Sequence, residues 1–429
     1  MRLLDRIPLE LHRLPTAATK SGWAVADQAI SSGSNFVVGV VVARAAGVQA
    51  LGAFAIATGL WIFFMGLARA VLFQPHLIAL RTRHLQGATQ PSGALATLYL
   101  VGLLPVATLI VGLGLLIGPT ADLGLALTSI GLAIIPLVLQ DLIRQLSLAS
   151  HRLSSAVYND VAFAIGTAAL LLGAYQARGR LSAATAILAW GAAAIPAVVL
   201  GAFQLGIRPS PMEAARAHWH VLRALSTWLG LGEVAYVIGA QATMLLLAGL
   251  LSQTALGAFR AVITLIAPAQ MVVTAIGAIA LPTAIRRNGS GYEPVRRFGI
   301  LFSASVATLL LPYALILVAG GSTILRLTFG IGFADYGFLI LPIAGSLVAS
   351  SVAFGAGIVL RAEGRAKALA CVLSVSSIAR LVLISVAAVT SGLRGAAWAY
   401  FAAAWLDASI VWGTAANHRR TRTRCLSSP

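Results

Sequence analysis

The chain has 429 residues, of which 59% are hydrophobic and 10% charged, and its mean hydropathy is +0.92. A soluble domain needs a far more charged surface, and the apolar runs here reach the ~18 residues or more of a bilayer-spanning helix, so the composition reads as an all-α polytopic membrane protein. The formal charge of +18 would suit nucleic acid if it formed one patch or arm; it is split among short segments between apolar runs, which excludes that partner.

In chain order, residues 1–21 form a cytosolic N-terminal segment. Met1 to Lys20 carries scattered charges and no short apolar core before a cleavage site, so it is not a secretory signal peptide, and the first span serves as an uncleaved anchor. Breaks in the apolar pattern place six spans near 22–43, 53–76, 93–117, 123–148, 153–176 and 181–206. Six more follow near 222–249, 254–281, 298–320, 333–360, 366–390 and 394–416. Turn formers mark several cuts, among them Gln90-Pro91-Ser92-Gly93, Gly118-Pro119 and Asn288-Gly289-Ser290-Gly291. The polar stretch 207–221 is a cytosolic linker with an interfacial helix around Glu213–Val221. Residues 417–429 form a basic cytosolic tail.

The spans fall into two halves. Ala50-Leu51-Gly52-Ala53-Phe54 returns as Ala255-Leu256-Gly257-Ala258-Phe259, an offset of 205 residues that also carries Trp23 onto Trp228. Such a tandem layout is common among transporters. It predicts two six-helix bundles, 22–206 and 222–416, related by pseudo-twofold symmetry. An even span count puts both termini on one side. Of the 30 Lys and Arg, only Arg44, Arg178, Arg180, Arg326 and Arg394 fall on the other side. Four more, Arg69, Arg144, Arg260 and Arg380, lie inside spans. The positive-inside rule therefore makes both termini cytosolic.

Ionisable groups at membrane depth are costly and mark candidate sites. In span one Asp27, Ser31, Ser34 and Asn35 share a helix face flanked by Gln28, either a polar cavity wall or an interhelical hydrogen-bond stripe. Arg69, in the cytosolic part of span two, either reaches to the headgroups or, since it sits within an apolar run, lines the cavity; the second reading is preferred. Arg144 and Asp160 stand at similar depth on antiparallel neighbours, about 3 Å of helix rise apart, as a structural ion pair or a substrate contact. Asp141 shares the face of Arg144. Arg380 and Asp407 raise the same choice: a structural pair, or a free Arg380 whose planar fork suits phosphate. Arg260, near the outer end of span eight, reads as a residue that reaches to the headgroups. Glu233 occupies the position that matches Gln28 and is, with Asp27, an ion-coupling candidate. Two cysteines, Cys371 and Cys425, are too few for a disulfide framework. No phosphate-binding loop, metal-ligand spacing or nucleophile constellation appears, so no cofactor, no metal and no catalysis are expected.

The opening of span one, Ala26-Asp27-Gln28-Ala29 with Ser32-Gly33-Ser34-Asn35-Phe36, Gly39 and Ala43-Arg44, followed by Leu51-Gly52-Ala53-Phe54, resembles the polysaccharide-transport (Wzx-like) flippases of bacteria. That family belongs to the multidrug/oligosaccharidyl-lipid/polysaccharide exporter superfamily. The span count and tandem halves fit it along the whole chain, and the residue pattern over the first eighty positions or so. The resemblance implies that the two six-helix bundles face each other across a central cavity, with alternating access and a polyprenyl-pyrophosphate-linked oligosaccharide as cargo. It also implies residence in the bacterial cytoplasmic membrane, with membrane lipid, a polysaccharide polymerase and glycosyltransferases as partners. Arg69, Arg144, Arg380, Asn35 and Gln28 are then the expected substrate contacts. The competing expectation is a cation-coupled multidrug exporter of the same superfamily, which needs few cavity cations and a central acid.

Overall fold

The computed structural model describes residues 14–81, 91–118, 120–150, 152–288 and 292–417. Among these residues there is no strand. Nine helical stretches are long and apolar enough to cross a membrane, and two of them, of 52 and 46 residues, are too long for a single crossing. Each of the two folds at a glycine in a left-handed conformation, Gly47 (φ 85°) and Gly392 (φ 62°). A side chain at either position would meet its own carbonyl, so glycine is where a continuous helical run can reverse.

Splitting at these glycines, and adding the helix Met212–Leu250, gives twelve helices. They are α1 (14–46), α2 (48–81), α3 (Pro91–Ile117), α4 (Asp122–Ala149), α5 (Leu153–Arg178) and α6 (Ala183–Leu205). The second set is α7 (Met212–Leu250), α8 (Gln253–Asn288), α9 (Tyr292–Phe329), α10 (Ile340–Ala362), α11 (366–391) and α12 (393–416). A 3-10 segment, Ile331–Leu339, leads into α10. With twelve crossings the chain begins and ends on the same side, termed the terminal face; the other is the far face.

The helix expected around Glu213–Val221 is present and continuous with the seventh span. Pro211 precedes a helix that runs unbroken from Met212. Its charged residues cover one side only. Ala215, His218 and Leu222 recur at helical spacing, are buried, and give the first turns a reason to stay helical.

The two halves are all-helical bundles. In the first, α4 packs against α3 and α6, α5 against α6, and the α1–α2 arm lies across α4, α5 and α6. Trp190 of α6 is its hub, 4.7 Å from Trp61 edge-to-face and 6.4 Å from both Phe54 and Phe163. In the second, α10 packs against α8, α9 and the α11–α12 arm, which also meets α7. Trp412 Nε1 and Ser303 Oγ both donate to the Val352 carbonyl at 3.0 Å. Small residues set the crossings: a Cβ added at Gly191 would lie 2.4 Å from the Ala133 Cβ. Without a hydrophobic force between helices in lipid, such close approach supplies the packing.

The repeated pentapeptide sits where the bundles meet at the far face. A Cβ on Gly52 would lie 1.9 Å from the Gln253 carbonyl oxygen, and one on Gly257 would lie 1.9 Å from the Val48 carbonyl oxygen. The 205-residue offset carries Val48 onto Gln253 and Gly52 onto Gly257. Each copy therefore makes the other's contact, the signature of twofold packing. Nearby, Arg44 of α1 caps the end of α9 across the same seam. Its Nε donates to the Thr328 carbonyl at 2.7 Å and its Nη2 to the Leu327 carbonyl.

At the terminal face α7 bridges back to the first bundle. His76 Nδ1 and His218 Nε2 are 3.0 Å apart, both buried, and Ser226 Oγ donates to the Val71 carbonyl at 2.6 Å.

Candidate functional site

The charges of the first bundle converge on one cavity of about 270 Å³ in its terminal half. Arg69 enters it from α2 at a π-helical turn, Arg69–Phe73. Such a turn admits an extra residue and re-aims the side chains around it. It also loosens the local carbonyl ladder, and the Val71 carbonyl that Ser226 takes lies within it. The Arg69 guanidinium grips Asp141 of α4 with both arms: Nε donates to Oδ2 at 2.6 Å and Nη2 to Oδ1.

One turn on, Arg144 Nε stands 3.2 Å from Asp160 Oδ2 on α5. Gln140 Nε2 donates to Asp160 Oδ1 at 2.9 Å, and Asn159 Nδ2 donates to the Ala197 carbonyl of α6 at 2.5 Å. Asp141, Asn159 and Asp160 are at most 4% exposed, so each charge needs its partner. Two cations and two anions make the network neutral. Ser31, Ser34 and Asn35 of α1 and the ring of Trp61 close the cavity.

The second bundle holds the Arg380–Asp407 pair between α11 and α12. Arg380 Nε and Asp407 Oδ1 are buried without hydrogen-bond partners. Thus three of the four intramembrane arginines are held by carboxylates. Among the described residues the fourth, Arg260 of α8, makes neither an ion pair nor a side-chain hydrogen bond. Its neighbours show where it points. Gly257 touches Val48, and Thr264 lies 3.9 Å from where a Cβ on Gly39 would be. Residues 257, 260 and 264 share a helix face, so Arg260 faces α1 across the seam between the bundles.

Of the residues singled out from sequence, Arg69, Arg144, Asp160 and Asn35 meet in the first cavity. Arg380 and Asp407 lie in the other bundle. The side chains of Asp27, Gln28 and Glu233 lie outside the described residues. Asp141 as the partner of Arg69, the tryptophan wall, and the position of Arg260 on the seam have no signature in the sequence. Like Arg69, Arg260 has no acid at matching depth on the helix that follows it, so the sequence does not single it out.

The architecture is thus two opposed six-helix bundles with charged groups at membrane depth. The chain has the fold of the MOP superfamily transporters. Among solved structures it matches an inward-facing multidrug resistance MATE family transporter with a TM-score of 0.69 and 13% identity, over 94% of this chain and 96% of that one. It matches the lipid II flippase MurJ in an inward closed conformation with a TM-score of 0.73 and 11% identity, over 91% and 87%. A MOP superfamily transporter from Pyrococcus furiosus, described as having a binding pocket of reverse polarity, matches with a TM-score of 0.63 and 11% identity, over 95% of both chains. No family profile matches the chain, and no curated protein sequence does.

Proposed function

We propose that the protein is a flippase carrying a polyprenyl-pyrophosphate-linked oligosaccharide across the bacterial cytoplasmic membrane by alternating access, with both termini cytosolic. The observation that carries this reading is Arg260, which among the described residues has no carboxylate partner, on the seam between the two bundles. A cation left uncompensated at membrane depth is paid for by an anion that comes and goes. A guanidinium offers a pyrophosphate two parallel donors. The likeness to a lipid II flippase supports a lipid-linked cargo. In this reading Arg69 and Arg144 engage cargo only by releasing Asp141 and Asp160, and Arg380 by releasing Asp407, whereas Arg260 needs no exchange. Asn35 and Gln28 contact the sugar. An inside-negative potential favours the outward step by about 2.3 kcal/mol per charge per 100 mV, and Asp27 or Glu233 couples a cation where the potential alone does not suffice.

One observation favours the second reading, a cation-coupled multidrug exporter: the first-bundle cavity is electrically self-neutralised, and MATE transporters share the fold. Polymer export in cells separates the two. Arg260→Ala should abolish export with normal membrane insertion, and Arg260→Lys should restore part of it. Normal export from Arg260→Ala, or a deletion strain with altered drug tolerance and intact surface polymer, overturns the flippase reading.

A further inference from the structure

Beside the polar cavity lies a second, larger space of a different kind. It occupies about 650 Å³ between α1 and α5. Its walls are two matched stripes. Ile30, Ser34, Val37 and Val41 follow the helical repeat on α1, and Ala164, Ala168, Leu171 and Tyr175 follow it on α5. The walls recede toward the terminal end, where Gly33, Ala164 and Ala168 are small. Apart from Ser34, Thr167, the Tyr175 hydroxyl and Arg44 the lining is hydrocarbon, and the Arg44 guanidinium is committed to the α9 carbonyls. Water inside such walls lacks the two to four polar partners that would hold it.

The two spaces share a wall at Ser34, which lines both; the groove overlaps the cavity in depth at Ala29–Ser34 of α1 and runs on past it to Arg44 at the far face. Ten residues of α1 separate Ser34 from Arg44, roughly 15 Å along the helix. A polar compartment in the terminal half, continued by an apolar slot that points toward the membrane centre and beyond, has the polarity order of a membrane amphiphile with its head toward the terminal face.

We infer that the α1/α5 groove binds the hydrocarbon chain of an amphiphile whose polar head occupies the Arg69–Arg144 cavity, the head entering the first bundle sideways between α1 and α5. This rests on the lipid-linked cargo proposed above and adds the route. The Asp141 and Asp160 carboxylates set the head's chemistry: it presents donors or water to them and anionic oxygens to Arg69 and Arg144, as a sugar diphosphate does. Ser31 and Ser34 stand at the threshold.

The test uses full-length protein in lipid nanodiscs and a farnesyl diphosphate carrying a photoactivatable diazirine on its chain, with labelled peptides mapped by mass spectrometry. Labelling should concentrate on 29–45 and 164–181. It should be lost in Ala168→Trp, which fills the groove from α5, and in Val37→Trp, which fills it from α1. Ile165→Trp, on the lipid-exposed side of α5, should label like the unmodified protein. Labelling spread evenly over all lipid-facing helices, or concentrated between another helix pair, overturns the groove assignment and leaves the flippase reading to its own test. Groove labelling in a protein whose deletion leaves polymer export intact supports the groove and removes the lipid-linked oligosaccharide as its occupant.

Discussion

The Gly52–Gly257 contact offers the sharpest test of the architecture. Replacing Gly257 with Ala puts a methyl group 1.9 Å from the Val48 carbonyl oxygen, 2.9 Å from its carbonyl carbon and 3.0 Å from the Gly52 nitrogen. All three obstacles are backbone, so no side chain can rotate away, and the bundles must part by more than 1 Å at the far face to restore ordinary contact. Overpacking of this kind costs about 1–3 kcal/mol. The penalty falls only on conformers in which the far face is closed. The closed population should therefore drop by a factor of about 5 to 150 relative to open ones. The measurement is an electron–electron distance between spin labels at Arg178 and Ile331, one in each bundle near the far face, in nanodiscs. Gly52→Ala should give nearly the same shift, because its Cβ meets the Gln253 carbonyl at the same 1.9 Å. Unchanged distance distributions, or a large effect from one glycine and none from the other, would refute the twofold packing argument.

Further outcomes follow from the buried charges and the imidazole pair. Asp141→Ala should destabilise the protein by about 3–5 kcal/mol, since it strands the Arg69 guanidinium in a low-dielectric site, while Asp141→Leu combined with Arg69→Met should recover most of that loss; thermal unfolding in detergent reads both. The His76–His218 contact should weaken in acid. Burial holds His218 below its ordinary imidazole value, so the neutral, contact-making form is complete above pH ~6.5 and is lost as pH falls. Trp219, which packs beside Ala79 and Leu222, reports the change through its fluorescence, and an acid transition that survives in His218→Gln would assign it to another group.

Much of the fold was legible because the bilayer constrains it. Every backbone group in hydrocarbon must be satisfied within a helix, so run length and turn formers locate the spans. The 205-residue offset added the twofold relation before any contact was seen. The helix around Glu213–Val221 was legible, but its continuity with the seventh span was not, because the stripe of Ala215, His218 and Leu222 counts only once a surface exists to bury it. Charge pairs separate along the same line. Arg144 and Asp160 lie on helices joined by a short turn, so counting residues from the turn compares their depths; they stand 3.2 Å apart. Asp141 had a nearer basic neighbour in sequence, Arg144, three residues on. It bonds instead to Arg69, 72 residues away, because α2 and α4 flank the cavity and a π-helical turn swings Arg69 inward. Helix-to-helix adjacency between non-consecutive spans is set by packing and leaves no periodic trace.

That 72-residue separation also bears on how the chain is made. During synthesis α2 reaches the membrane well before α4, so Arg69 arrives without its acid. A lone arginine costs up to about 2.5–3.5 kcal/mol on insertion at a helix centre and less toward the end where Arg69 lies, still a bias toward delay at the boundary. Asp141 and Arg144 come in together on α4, and Asp160 follows within one hairpin. The first bundle therefore cannot settle until its fourth helix emerges, and a ribosome stalled before Asp141 should leave α2 shallow and open to aqueous modification.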